Sequence, residues 1–268
     1  MIQRMEYKNE IIINEIDTYP DELIRILKSF ENDLSRYLKE EKKISNLQFN
    51  SGEYINPTKN KFQPNWNLII GKIEKKLIKN RFIGFHCSRL TDKEIGIISK
   101  NGLVPLSEQL AKEKLERVFN DKLVSRKTFK FLLKNNSSGH NNRNGKICFL
   151  HDSQILKDYN SVGRLFKNWG GESIYNNHEN NNPIKSEISS IGMPTILVCG
   201  FEYKELDPFR SLSEYISEIW VYRNSKEPNV QLFDTKVTNT KKIEKIIKFG
   251  DDLFNELTDY QNWRFKIN

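Results

Sequence analysis

A chain of 268 residues with 43 Lys+Arg against 35 Asp+Glu, a net charge of +8, is long enough for one large domain or for one domain with an extension. Its 37% hydrophobic and 11% aromatic residues exclude global disorder, and no apolar run reaches the ~18–20 residues of a membrane span. Three scattered cysteines, Cys87, Cys148 and Cys199, argue against a disulfide framework and a zinc site. Before Ile11–Ile13 the charges are mixed and no signal-peptide pattern stands out. The expectation is a cytoplasmic protein with no membrane association. A pI near 9.2 suits a polyanionic partner, although lysines interleaved with glutamates also describe a solvated surface.

In chain order, Asp21–Glu41 places Leu23, Ile24, Ile26, Leu27, Phe30, Leu34 and Leu38 at helical spacing behind Pro20. A polar stretch, Asn46–Asn65, is broken by Gly52, Pro57 and Pro64. A second helix follows over Trp66–Asn80. Residues 1–80 therefore read as a helical extension with no catalytic constellation, and residues 81–268 as an α+β catalytic domain.

Arg81–Arg89 has the aromatic and aliphatic composition of a strand. Thr91 and Glu94 form a capping box for a helix that stops at Asn101-Gly102. Further helices are expected from Ser107 and over Asp121–Lys134, then a mobile polar tip at Asn135–Gly145. Lys146–Leu150 reads as a second strand and Ser153–Asn168 as a helix. Trp169–Tyr175 reads as a tight turn entering a short strand, and Asn176–Pro183 as a loop. The last third predicts strands at Pro194–Cys199, Glu218–Tyr222 and Val230–Phe233, then an amphipathic helix over Lys241–Leu257. Unequal insertions between strands are unlike the regular alternation of a doubly wound fold.

The chain has no GxxxxGK[ST] loop, no GxGxxG after a strand, no HExxH and no GxSxG elbow. What remains is an order: a His within a strand, Phe85-His-Cys-Ser-Arg89; a glycine-led strand, Gly145-Lys-Ile-Cys-Phe149; and Glu218-Ile-Trp-Val-Tyr222. In this order residues 81–235 resemble the ADP-ribosyltransferase superfamily, in its diphtheria-toxin and poly(ADP-ribose)-polymerase-like branch. There a first-strand His, a mid-domain Tyr and a late Glu line a NAD cleft. The resemblance implies a split, mixed or antiparallel sheet core and NAD as co-substrate, with no metal.

Cleaving a nicotinamide–ribose bond creates an oxocarbenium-like centre that needs a carboxylate beside it, an aromatic surface for nicotinamide, and donors for ribose and pyrophosphate. On the resemblance, Glu218 supplies the carboxylate and His86 orients the cofactor. Ser88 and Arg89 are candidate ribose or phosphate contacts. Phe149 stands where the family often has a stacking Tyr. Two glycines before Glu172 let the backbone turn beside a ligand, so Glu172 is a rival carboxylate and Tyr175 a rival stacking residue. Each has a plainer reading: a core histidine, a solvated acid, or Arg89 paired with Asp92 or Glu94. Cys87, Trp169 and Trp220 read as core.

The function so implied is ADP-ribose transfer by an intracellular toxin or phage-defence effector, neutralised by an antitoxin protein. Its acceptor would be single-stranded RNA or DNA, slightly favoured over protein. The alternatives are a basic nucleic-acid-binding protein without enzymatic activity, and a nuclease using His86 or His178 with carboxylates.

Overall fold

The computed structural model describes residues 10–51, 59–178, 181–206, 211–224 and 234–263. The described residues begin with β1 (Glu10–Ile11), α1 (Asp21–Ser29), α2 (Glu31–Ser51), α3 (Gln63–Leu77), β2 (Arg81–Leu90), α4 (Asp92–Asn101), α5 (Glu108–Asn120) and α6 (Arg126–Lys134). They continue through β3 (Ile147–Leu150), α7 (Tyr159–Lys167), α8 (Glu172–Tyr175), α9 (Asn182–Ser189), β4 (Met193–Glu202), α10 (Leu212–Tyr222), β5 (Asp234–Val237), β6 (Lys245–Lys248) and α11 (Asp252–Thr258). The protein is α+β. Its open sheet has the order β5-β3-β2-β4-β6, every neighbouring pair antiparallel, with β1 added in parallel beside the start of β2.

β2 and β4 form the spine, paired over ten residues from Arg81↔Glu202 to Leu90↔Met193. Alternation along these strands sends side chains to two faces. Ile83, Phe85 and Cys87, with Ile196 and Val198, pack under α7 and α11. Phe82, Cys199 and Phe201, with Ile147 and Phe149 of β3, pack under α1, α2, α3 and α10. A third core joins α5, α6, α8 and α9 around Trp169 and Tyr175.

The N-terminal helices share the sheet's core. On α3, Trp66, Ile69, Ile73 and Leu77 recur every three to four residues and are buried in the same cluster as Phe82 and Phe149. Each such burial contributes roughly 1.5–3 kcal/mol. Residue 80 is therefore no break in packing, and β1 ties residues 10–11 directly into the sheet.

Several elements differ from the sequence expectation. The first helix divides at Phe30, where α1 ends, and α2 runs on to Ser51 through residues expected to be polar coil. α6 starts only at Arg126, behind the cap Ser125. Ser153–Asn168 divides into a 3-10 turn, Ser153–Lys157, and α7, which Asp158 caps. Residues expected to be loop enter α9, with Pro183 in its first turn. Glu172–Tyr175 is helical, and so is Glu218–Tyr222, which closes α10. The EIWVY run is strand-like locally, but Leu212, Tyr215, Ile216, Ile219 and Trp220 extend a helical apolar period that is buried against α2 and α3. The expected strand Val230–Phe233 lies outside the described residues. Lys241–Leu257 is not one helix: β6 pairs Ile247 with Ile196, Gly250 turns the chain, and α11 follows. The capping box of Thr91 and Glu94 and the stop at Gly102 are as expected. Among the described residues no helix is long and apolar enough to cross a membrane.

Candidate functional site

From Phe82 to Leu90 every residue of β2 is buried except His86, which is partly exposed. The opening arises where two strands part. β3 meets β2 in the single register pair Phe85↔Leu150. One residue later the His86 ring reaches to β3, with Nδ1 2.9 Å from the Cys148 carbonyl oxygen. A carbonyl only accepts, so in the neutral ring Nδ1 carries the hydrogen and Nε2 presents a lone pair. Phe149 holds the ring edge-on at 5.8 Å. Burial pushes the imidazole below its ordinary 6.5; the Cys148 bond opposes that shift and the charge of Lys114 adds to it.

Lys114 belongs to a buried charged layer between α4, α5 and α8. Its ammonium lies 3.1 Å from Glu94 Oε1 and 5.5 Å from the Trp169 ring centroid. Glu94 Oε2 accepts from the Thr91 amide at 2.9 Å and from the Trp169 indole at 2.8 Å. The sequence shows Glu94 as a capping residue; its second partner, supplied by the turn before α8, has no sequence signal.

Glu172 opens α8 behind Gly170 and Gly171, both at positive φ. Its carboxylate is half-exposed and lies 3.4 Å from Arg143, whose other nitrogen donates to Ser137 Oγ at 2.8 Å. The Ser137 amide in turn donates to the Ser173 carbonyl at 2.8 Å. Ser137 and Ser138 are buried. The polar tip expected to be mobile is thus pinned to α8. The charges of Glu172 and Arg143 act on the Cys148 thiol, which burial pushes above its ordinary value.

The other candidates scatter. Ser88 is buried on the same face of β2 as His86. Arg89 is buried on the opposite face, where Nε donates to the Ile191 carbonyl at 2.8 Å and Nη1 to the Phe166 carbonyl at 3.1 Å. It ties α7 to the turn before β4 and does not pair with Asp92 or Glu94. Phe149 is fully buried between His86 and Phe201. Tyr175 is buried in the third core with the Arg164 guanidinium over its ring at 5.8 Å. Neither ring offers an open face for nicotinamide in this conformation. Glu218 is buried on α10, and burial together with the Glu218 charge pushes up the Tyr222 hydroxyl one turn further on.

The sequence candidates thus divide. His86 and Phe149 meet at β3 and Glu172 opens α8 beside Arg143; Glu218, Arg89 and Tyr175 are embedded in separate packing layers. Two cavities lie elsewhere. One of about 430 Å³ is walled by Glu15, Asp17, Asp152, Tyr215 and Tyr222, and one of about 490 Å³ by Phe119, Lys122, Leu123, Ser125 and Glu187. His151, beside the sheet, is fully buried between the Ile83 carbonyl and the Thr235 hydroxyl, both at 2.8 Å. His178 Nε2 donates to the Asn135 carbonyl at 2.5 Å. Among the described residues no group of three or more His, Cys, Asp or Glu is placed to hold a metal ion. No family model, curated protein or solved structure matches the chain.

Proposed function

We propose that the chain is a NAD-dependent ADP-ribosyltransferase whose reactive centre lies at the parting of β2 and β3. The observation that supports this reading is His86, the one partly open position inside the central strand, with Nδ1 held by Cys148 and Nε2 turned to accept a hydrogen bond. A ribose hydroxyl suits that acceptor. The C1′–N bond to nicotinamide breaks with its electron pair leaving on nicotinamide, and the acceptor's nucleophile forms the new bond to C1′. Positive charge developing on the ribose is stabilised by a nearby carboxylate. Glu172 is the better candidate for that acid, because it is half-exposed, whereas Glu218 is buried within a helix. The basic net charge favours single-stranded RNA as acceptor over protein. An effector of this kind, acting in the cytoplasm, would need a neutralising antitoxin protein.

The test incubates the purified protein with isotopically labelled NAD and, separately, cellular RNA, single-stranded DNA and total protein. Label is expected in the RNA pool, lost with His86→Ala and Glu172→Gln and retained with Glu218→Gln. Loss with Glu218→Gln alone would move the acid to α10. No label in any pool and no released nicotinamide would overturn the reading in favour of a binding protein or a nuclease.

A further inference from the structure

We infer that α6 is a docking helix for the backbone of single-stranded RNA. The helix has nine residues, Arg126-Lys-Thr-Phe-Lys-Phe-Leu-Leu-Lys134, four of them cationic and none acidic. Arg126, Lys130 and Lys134 stand at i, i+4 and i+8, a single exposed row with about 6 Å of rise between successive cations. Over that interval adjacent phosphates of one strand can each meet one cation. Lys127 and Phe131, again four apart, form a second exposed row beside the first.

Among the described residues the four cations make no ion pair, whereas many other surface cations do, as with Lys93 and Asp121, Lys76 and Glu22, or Lys248 and Asp92. A neighbouring acid, Glu187, is engaged at the start of the helix, where it accepts from the Ser125 amide and hydroxyl at 2.6 and 2.9 Å and from the Thr128 hydroxyl at 2.8 Å. The helix terminus is thereby filled, and among the described residues no acid pairs with the cation rows. Phe131 adds what a bare cationic surface lacks. Its ring is 37% exposed and is held from behind by His178, edge-on at 5.1 Å. A braced, half-open ring next to a row of cations is the combination that takes an unpaired base and its phosphate. A duplex, with its bases already stacked, would leave that ring without an occupant. The inference stands apart from NAD chemistry and is tested without NAD.

The experiment measures fluorescence anisotropy of the full chain with a labelled single-stranded oligoribonucleotide across a salt series. Arg126→Gln/Lys130→Gln/Lys134→Gln is expected to weaken binding at least tenfold and to lower the salt slope by about 2, three phosphate contacts at ~0.7 each. Phe131→Ala is expected to cost about tenfold with the slope unchanged. A control, Lys28→Gln/Lys75→Gln/Lys79→Gln, removes the same charge from the α1–α3 layer and is expected to bind like the parent. Equal weakening in the control would overturn the assignment by showing a diffuse charge effect. An unchanged affinity in the α6 variant, with its thermal midpoint intact, would overturn it outright. Polyglutamate competing as well as the oligonucleotide would reassign the helix to an acidic protein surface.

Discussion

Glu94 and Trp169, separated by 75 residues in sequence, meet in a 2.8 Å hydrogen bond that fastens the first turn of α4 to the glycine turn before α8. The same carboxylate caps its own helix through Thr91 and faces Lys114 at 3.1 Å, so three elements converge on one buried group.

Glu94→Ala should destabilise the protein by about 3–5 kcal/mol, because it leaves a largely buried ammonium and an indole N–H without a partner. Burial pushes the Glu94 carboxyl up, but Lys114, the Thr91 amide and Trp169 outweigh it and hold it below 4.5. A carboxyl depressed in the folded state stabilises above its unfolded value and loses that contribution as pH falls. Urea unfolding should therefore show stability declining below about pH 4.5 in the parent. The Glu94→Ala protein should start lower and decline less over that window.

His151 also costs stability on acidification, but over a higher pH window. Because Ile83 offers a carbonyl, Nδ1 must carry the hydrogen and Nε2 accepts from the Thr235 hydroxyl. Burial pushes the imidazole down from 6.5 to about 4, with the Ile83 bond opposing and the Lys241 charge assisting. The unfolded chain binds this proton and the folded one does not, so stability is full above pH 6.5 and falls toward pH 4 by roughly 1.4 kcal/mol per unit. Replacing His151 with Gln should flatten that part of the curve. A His151 resonance titrating near 6.5 in the folded protein would refute the assignment.

Gly170 and Gly171 should respond differently to alanine. Both have positive φ, +92° and +68°, and both substitutions strain the backbone by about 1–3 kcal/mol. At Gly170 the added Cβ would also lie 2.8 Å from Ile174 Cβ, whereas at Gly171 nothing lies within 4 Å. The thermal midpoint should fall in both proteins and further in Gly170→Ala. Equal losses would mean that Ile174 moves aside.

Glu172→Gln should leave the fold intact. The side chain is half-exposed and its contact to Arg143, at 3.4 Å, is long for a hydrogen bond. A thermal midpoint unchanged within about 1 °C, set beside the labelled-NAD assay, separates a chemical role from a structural one. A fall of several degrees would instead mark Glu172 as the pin between the Asn135–Gly145 segment and α8.

Local signals carried the sequence reading where chemistry is local. Thr91 and Glu94 three apart, Gly102 after Asn101, and the aromatic run of β2 each fix a short element by themselves, and each is present in the fold. Glu218-Ile-Trp-Val-Tyr222 misleads for the converse reason: five residues of high strand propensity sit at the end of an eleven-residue helix whose apolar period is set by Leu212, Tyr215 and Ile216 upstream. Of the proposed site, His86 and Glu172 were both candidates in the sequence, His86 from its place within a strand and Glu172 from the two glycines before it. Arg89 and Tyr175 have plausible chemistry in sequence, but backbone carbonyls and a core decide their orientation, and those partners lie up to 102 residues away. Lys114 and Arg143 carry no motif, and they become relevant only through the turns that fold over them.

The segment after α4 binds at both ends to distant chain. Leu103 exchanges two backbone hydrogen bonds with Lys241, at 2.8 and 2.9 Å, and Leu106 exchanges two with Gly145 and Lys146, at 2.7 and 3.1 Å. Leu103 packs against the clusters holding Phe201 and Leu197, the latter being the register partner of His86. On a translating ribosome this strap has only one anchor until Lys241 emerges. Until then the strap is held at Leu106 alone, through Gly145 and Lys146 at the entry to β3, and its Leu103 end lacks the pair that Lys241 supplies.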